Sequence, residues 1–155
     1  MTLVQLKPLV YAACKKVIDE RLSLAQAAMN EAQASANQED KSSAGDKYET
    51  GRAMAQQERD KAATQVAEAL KLREAFDRIN PDKIFKTVEI GSMVQTDQAH
   101  YFVSVAAGKL AINGIECLAI STASPIGQMM MGKKRGDCIT FNKQTFVIRE
   151  VCWFR

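Results

Sequence analysis

The sequence predicts an α+β protein in which a long antiparallel helical hairpin precedes a small antiparallel β domain with one short helix. The first half is rich in alanine and carries its larger apolar residues at helical intervals. The second half has β-branched and aromatic residues in short runs separated by glycine. Asn80-Pro81 stops the last helix of the first half. We therefore expect the hairpin over residues 1–80, with its tip at about 38–46, and a separate domain over residues 83–155.

The first arm of the hairpin is indicated by large apolar residues at intervals of four and seven. They are Leu6, Val10, Val17 and Leu24. Pro8 suits the first turn of a helix, where its missing N–H costs nothing, so we place the start near Lys7. Beyond Leu24 the expected inward positions are small or polar, namely Ala27, Ala28, Glu31 and Ala34.

The second arm should follow a polar break with a glycine at residues 38–46. Asp46 followed by Glu49 is typical of a capping box, so we expect the helix to begin there. Its large apolar residues gather near the far end, at Val66, Leu70, Leu72, Phe76 and Ile79. The alanine-rich ends then meet at the turn, which predicts a coiled coil with a thick base and a thin tip. Such a slender pair buries little apolar area, so we interpret it as a reaching device, with a plain interaction module as the alternative.

The second half predicts a small sheet with one helix across it. Six runs are typical of strands: residues 87–90, 92–96, 100–106, 116–121, 138–141 and 145–153. Between them, residues 124–132 predict a short helix with Ser124 as N-cap, Pro125 at the first position and Gly132 after the end.

This short helix and the loop after it resemble the C-terminal signature of the Gre transcript-cleavage factors, in which Ser-Pro-Ile/Leu-Gly/Ala precedes Gly-Lys and Gly-Asp. The matching segments are Ser124-Pro125-Ile126-Gly127, Met131-Gly132-Lys133-Lys134 and Gly136-Asp137. Weaker likenesses to the family are Tyr48 with Arg52 and Gln56-Gln57, and Ile90-Gly91-Ser92. The resemblance implies the family's order of parts, a helical hairpin followed by an FKBP-like domain.

The resemblance also implies a function, that of a bacterial transcription elongation factor which binds RNA polymerase. Its C-terminal domain would dock at the entrance of the secondary channel, and its hairpin would reach toward the active centre. In the cleavage factors, acids at the tip help hold a second Mg²⁺ and orient a water, so that the polymerase hydrolyses the 3′ end of backtracked RNA. A hard cation prefers such oxygen ligands. The implied protein is not an enzyme by itself, and it meets Mg²⁺ and the nascent RNA only within the polymerase complex.

The tip departs from the family pattern, which resembles Gly-Asp-x-x-Glu-Asn-x-Glu-Tyr. Counted back from Tyr48, the three acidic places fall on Lys41, Ala44 and Lys47. Of the nearby acids, we take Asp40 and Asp46 as the candidates that assist catalysis by the polymerase, with helix capping as the alternative for Asp46. The missing acids also leave open a Gre-like regulator that occupies the channel without promoting cleavage.

The candidate partner-binding residues lie on and after the short helix. They are Ser124, Pro125, Ile126, Gly127, Lys133, Lys134 and Arg135. Residues 83–155 carry 9 basic and 5 acidic side chains, so this half could meet an acidic protein surface as easily as a phosphate. The three adjacent cations can pair with acids on a partner, and the alternative is an ordinary solvated loop.

Composition excludes several other classes. Four cysteines without a C-x-x-C spacing and a single histidine give no support to a zinc site or a disulfide framework, so we expect reduced, mostly buried thiols and no bound cofactor. A net charge of +3 is too small to imply nucleic-acid binding by itself. No apolar run is long enough for a membrane span, and no secretory signal is evident, so a cytoplasmic location is expected. We also expect the protein to be a monomer. A chaperone-like interaction module unrelated to polymerase remains the third alternative.

Overall fold

The computed structural model describes residues 2–40, 45–83 and 85–151, and for residues 39, 40 and 45–49 it describes the backbone alone. Two long helices are followed by four strands, a short helix and two strands. Their bounds are α1 Leu3–Asp40, α2 Gly45–Asp77, β1 Met93–Thr96, β2 His100–Ser104, β3 Gly108–Ile112, β4 Ile115–Ser121, α3 Pro125–Met130, β5 Cys138–Phe141 and β6 Gln144–Val151. The predicted α+β fold class is confirmed. None of the helices in the described ranges combines the length and the apolar character needed to cross a bilayer.

The chain divides into two compact units. One, which we call the sheet unit, comprises Met1–Val17 and Glu74–Arg155, and the other, the hairpin unit, comprises Ile18–Arg73. The predicted boundary at residues 80–83 follows the change in composition, whereas this division follows packing. The first turns of α1 and the last turn of α2 therefore belong with the strands.

The two arms of the hairpin unit run antiparallel. Arg73 of α2 pairs with Asp19 of α1. Farther along α1, residues 28–35 share a groove with residues 58–65 of α2. Residue numbers rise in one arm as they fall in the other, as an antiparallel pair requires.

Buried alanines form the seam between these arms. The set is Ala25, Ala32 and Ala36 of α1 with Ala55, Ala62 and Ala69 of α2, each no more than 8% exposed. The repeated spacing of seven is the repeat of a coiled coil, which keeps one face of each helix against its partner. Because the buried side chains are single methyl groups, the helix backbones can approach closely and the arms stay thin.

The predicted inward stripe of the first arm is correct at Leu6 and Val10 but wrong at Leu24. Leu24 is 71% exposed, while Ile18 and Ala25 are buried. The four positions expected to follow it on the inside, Ala27, Ala28, Glu31 and Ala34, are all exposed. The predicted stripe follows the large side chains of this arm. The side chains in the seam are small ones, displaced by one position in the sequence.

Enlarging a seam residue should destabilise the hairpin unit. We expect Ala62→Leu to lower the free energy of unfolding by about 1–3 kcal/mol, because the added methylenes force the arms apart. Ala67→Leu on the exposed side of the same helix should change it by less than about 0.5 kcal/mol. Urea unfolding followed by circular dichroism compares the two variants. Equal losses would mean that Ala62 does not lie in a tight seam.

The start of α1 differs from the prediction, because the helix begins at Leu3 and Pro8 lies inside it. A capping box explains the earlier start. The Gln5 N–H donates to Thr2 Oγ1 at 3.2 Å, and the Thr2 N–H donates to Gln5 Oε1 at 3.0 Å. Burial of Leu3 and Leu6 in the sheet unit adds to this, so the first turns stay helical despite the proline.

The six strands form one sheet in the order β3-β4-β2-β1-β6-β5. All neighbouring pairs are antiparallel except β2 and β4, which are parallel. Two-residue turns join β3 to β4 through Asn113-Gly114 and β5 to β6 through Asn142-Lys143. All four turn residues have φ between 50° and 82°, which the mirror-image hairpin turn requires.

The strand predictions fail at two places. Residues 108–112 form strand β3, which the prediction lacked although Asn113-Gly114 is a strong hairpin signal. Residues 87–90 were predicted as a strand but form none. Val88 instead bonds the loop after α3: its N–H donates to Lys133 O at 2.7 Å, and its carbonyl accepts from the Gly132 N–H at 2.8 Å.

Both faces of the sheet are covered within the sheet unit. Val94, Tyr101 and Ile148 belong to a core cluster that includes Met130 of α3. Side chains of the opposite face are buried as well, among them Met93, Phe102 and Cys117. Cys117 lies close enough to Cys14 of α1 for the two thiols to interact, so the first turns of α1 cover this second face.

Candidate partner-binding surface

Helix α3 is capped as the sequence predicts. Ser124 Oγ accepts the Gly127 N–H at 3.1 Å and donates to Ser121 O at 2.6 Å. Pro125 occupies the first helical position, where no intrahelical N–H bond is lost. The serine and the proline of the signature therefore have local structural roles at the end of β4.

Gly127 has a structural role of its own. It is buried, and a Cβ at this position would lie 2.0 Å from Ser121 O and 2.8 Å from Ser124 Oγ. Only glycine lets α3 sit this close to the end of β4. Ile126 packs partly against the core cluster, whereas Pro125 is exposed. The partner-binding role of residues 124–127 stays a prediction, with Pro125 the member most open to contact.

The basic loop at Lys133, Lys134 and Arg135 is exposed and firmly held. On one side it is tied to Val88 by the two backbone bonds described above. On the other, the Gly136 N–H donates to Ile148 O at 2.7 Å, and the Ile148 N–H donates to Asp137 O at 2.9 Å. The Asp137 carboxylate also accepts the Lys134 N–H at 2.9 Å. These hydrogen bonds fix the backbone of the loop that carries the three exposed cations.

A concavity of about 450 Å³ lies beside this loop. Its lining comprises Lys86, Lys134, Arg135, Glu150 and Val151. Lys86 did not stand out in the sequence, because it precedes the loop by more than forty residues. The pairing of Val88 with residues 132–133 brings it there. The predicted cation cluster therefore gains a member that only the tertiary structure identifies.

The candidate tip acids lie at corresponding ends of the two helices. Asp40 is the last residue of α1, and Asp46 is the second residue of α2. Their side chains, and residues 41–44 between the helices, lie outside the described residues. The described part of α2 begins at Gly45, and the capping role predicted for the Asp46 side chain lies outside the described residues.

None of the three described cysteines forms a disulfide, and two of them are buried. Cys14 and Cys117 are enclosed, while Cys138 at the start of β5 is exposed, and Cys152 lies outside the described residues. Burial, with a smaller contribution from the neighbouring Cys14, raises the pKa of Cys117 to about 12. That thiol stays protonated and unreactive at neutral pH. No group of three or more metal-binding side chains occurs within the described ranges.

A second concavity, of about 370 Å³, is lined by the first turns of α1 and by residues 81–83. Lys7, only 8% exposed, extends along its wall, and its Nζ donates to Lys83 O at 3.1 Å. The ammonium lies 4.9 Å from the centre of the Phe85 ring, a cation–π distance. Lys7 thus ties α1 to the segment that follows α2.

Comparison with solved structures finds chains of similar structure. Among them is the structure described as that of the transcription factor Gfh1, with 18% sequence identity, coverage of 90% of this chain and 93% of that chain, and a TM-score of 0.36. No protein-family model matches the chain, and no curated protein matches it. Any functional assignment therefore depends on the residues of the chain itself.

Proposed function

We propose that this protein is an RNA polymerase-binding transcription factor of the Gre type, which inserts its helical hairpin into the secondary channel. The observation that carries the proposal is the alanine seam of the hairpin unit. Arms joined through Ala25, Ala32, Ala62 and Ala69 bury little apolar area, so their stability alone does not account for them. At the rise of an α-helix, the part of α1 in this unit extends for roughly 35 Å and the part of α2 for roughly 45 Å. A narrow, stiff pair of this length suits entry into a channel.

The sheet unit supplies the second support for the proposal. The Ser124 to Gly127 segment builds the turn from β4 into α3, and this turn leads into the rigid loop with Lys133 to Arg135. The segments that resemble the Gre signature therefore form one continuous structural element, which carries the exposed cations. Such a surface suits docking on an acidic protein.

In the proposed mechanism the protein acts through the active site of the polymerase and holds no metal by itself. Asp40 and Asp46, at the ends of two antiparallel helices, would bring carboxylate oxygens toward the reacting 3′ end. A divalent cation shared with the polymerase would supply charge stabilisation, and a carboxylate would orient the attacking water. The rigid arms would keep these acids in place.

A second candidate function is occupation of the channel without cleavage. The observation in its favour is that Lys41, Ala44 and Lys47 occupy the three acidic places of the family pattern. A hairpin with these residues would still compete with other factors or substrates for the channel. It would lack the charge needed to gather a second cation.

A backtracked polymerase complex with labelled RNA separates the two candidates. If the hairpin promotes cleavage, added protein with Mg²⁺ should shorten the transcript. The double substitution Asp40→Asn with Asp46→Asn should then slow cleavage by about 100-fold or more, as expected for loss of metal-assisted charge stabilisation. The matched control is Glu31→Gln, an exposed acid on the arm that carries Asp40, which should leave the rate within about twofold.

Polymerase binding must be measured in the same samples. Binding without shortened transcripts would reject cleavage and favour channel occupation, in which case the double substitution should leave the effect on transcription unchanged. Absence of polymerase binding would reject both candidates and favour an interaction module of another kind.

A further inference from the structure

The hairpin unit has a continuous groove along one flank. Two concavities, of about 350 Å³ and 420 Å³, adjoin there, and Gln65 lines both of them. On α1 the lining residues run from Arg21 to Ser35, and on α2 they run from Glu58 to Leu72. They recur at intervals of three and four, so each helix contributes one of its faces. We call this surface the hairpin groove.

The hairpin groove has an apolar floor and an exposed leucine on its wall. The floor consists of seam alanines, namely Ala25, Ala32, Ala62 and Ala69. Because their side chains are short, the backbone of another helix can come close to this floor. Leu24 is 71% exposed, more than any other large apolar side chain that the structure describes. Packing against a second helix would remove this leucine from water.

The lining of the hairpin groove is symmetrical along its length. Counted from Ala28, the lining residues of α1 fall three, four and seven positions away in both directions. Counted from Gln65, those of α2 do the same. A two-fold axis across both helices at Ala28 and Gln65 therefore brings the groove onto itself, as an isologous contact requires. Two antiparallel hairpins related in this way form a four-helix bundle in which all neighbouring helices are antiparallel.

The charges on α2 are complementary under the same axis. Lys61 of one copy comes to the level of the partner's Ala69, only about 1.5 Å along the helix from the partner's Glu68. The contact occurs twice, because the axis exchanges the two copies. Both side chains are exposed, and neither forms an ion pair with another residue of the described ranges. Gln65 meets its own copy, and an amide both donates and accepts hydrogen bonds.

We propose that the hairpin groove pairs with the same groove of a second copy of this chain, so that the protein forms a reversible dimer. The pairing replaces the monomer that we expected from the sequence. A single helix of another protein would also fit an apolar groove. The second copy is favoured because the lining is symmetrical about Ala28 and Gln65 and because Lys61 and Glu68 are complementary across that axis.

The pairing has a regulatory consequence, which rests on the proposed function. A hairpin packed against a second one is twice as thick and has one flank covered. The dimer would therefore withhold the hairpin from a narrow channel, and only the monomer would enter. Dimerisation itself does not depend on the proposed function.

Sedimentation velocity of the full-length protein from about 1 to 200 µM, the range of weak association, tests the pairing. We expect the sedimentation coefficient to rise reversibly with concentration. Leu24→Glu should weaken dimerisation by about tenfold or more, because it places a charge in the apolar contact. The matched control is Leu70→Glu, the same change at a leucine that is 43% exposed and lies outside the groove lining. It should change the dimer dissociation constant by less than about twofold.

A charge swap tests the predicted pairing in detail. Lys61→Glu alone and Glu68→Lys alone each create two like-charge contacts and should weaken the dimer by about tenfold. The double variant restores opposite charges and should return the dissociation constant to within about threefold of the original. Lys71→Glu, at an exposed lysine of α2 outside the groove lining, is the control. Circular dichroism checks that every variant keeps its helices.

Polymerase binding, measured at about 10 nM protein where a micromolar dimer is dissociated, separates the remaining outcomes. Leu24→Glu should then bind polymerase as well as the original protein does. A protein that stays monomeric at every concentration would overturn the pairing, and loss of polymerase binding by Leu24→Glu would then identify the groove as a polymerase contact. A double variant as weak as the single ones would overturn the proposed axis. A dimer that shows this pattern of substitutions but binds no polymerase would support the pairing and reject the proposed function.

Discussion

Replacing Phe76 by alanine should lower the free energy of unfolding of the sheet unit by about 3–5 kcal/mol, the usual cost of removing a fully buried ring. Phe76 lies in the last turn of α2, is 0% exposed, and stacks on Tyr11 of α1 with 4.7 Å between ring centroids. The substitution removes this stacking and leaves a cavity between the two helices where they join the strands. Since domains are stable by only about 5–15 kcal/mol, the loss would be a large part of the total.

Chemical denaturation monitored by circular dichroism measures this loss, and hydrogen exchange locates it. Protection should fall in the last turn of α2 and in the first turns of α1. Leu70→Ala is the control, because Leu70 belongs to the hairpin unit and is 43% exposed. It should cost less than about 1 kcal/mol. A Phe76→Ala protein as stable as the control would show that the end of α2 is not part of the core of the sheet unit.

The sequence was informative where chemistry is local. Alternation, turn residues and the Ser124 cap predicted most strands and helix α3. It was misleading where side-chain size and position conflict. The predicted inward stripe included Leu24 because its side chain is large. The seam between the arms is instead formed by alanines, whose methyl groups let the two backbones approach. The helix start was placed near Pro8 because proline suits a first helical turn. The helix extends through Pro8 because of the Thr2 and Gln5 capping box and the burial of Leu3.

The candidate surface was predictable only in part for a related reason. Lys133, Lys134 and Arg135 are adjacent in the chain, so a charge cluster is visible in the sequence. Lys86 joins them only through the two hydrogen bonds between Val88 and the loop after α3, and the same bonds explain why residues 87–90 form no strand. Pairing between a loop and an irregular segment leaves no periodic signal in either partner. Its geometry comes from the packing around it.

The Ser124 to Gly127 segment combines a family resemblance with a local structural requirement, and a glycine substitution tests that requirement. Gly127→Ala should destabilise the sheet unit by about 3 kcal/mol or more, since overpacking against backbone cannot be relieved by a side-chain rotation. The new Cβ would lie 2.0 Å from Ser121 O. That carbonyl also accepts the Ser124 N–H at 3.1 Å and the Ser124 hydroxyl at 2.6 Å. Moving α3 away would therefore break the cap as well.

Gly108→Ala provides the control that separates steric overlap from backbone strain. Gly108 has a φ of +86°, and no atom lies within 4 Å of the position that a methyl group would take, so alanine there is strained without a clash. Its cost should be about 1–2 kcal/mol, the penalty of the left-handed conformation. Thermal unfolding compares the two variants, and polymerase binding is measured below the transition of both. If Gly127→Ala folds as stably as Gly108→Ala yet loses polymerase binding, the segment acts by direct contact. If it loses stability and binding together, while Gly108→Ala keeps binding, the signature acts by holding the basic loop in place.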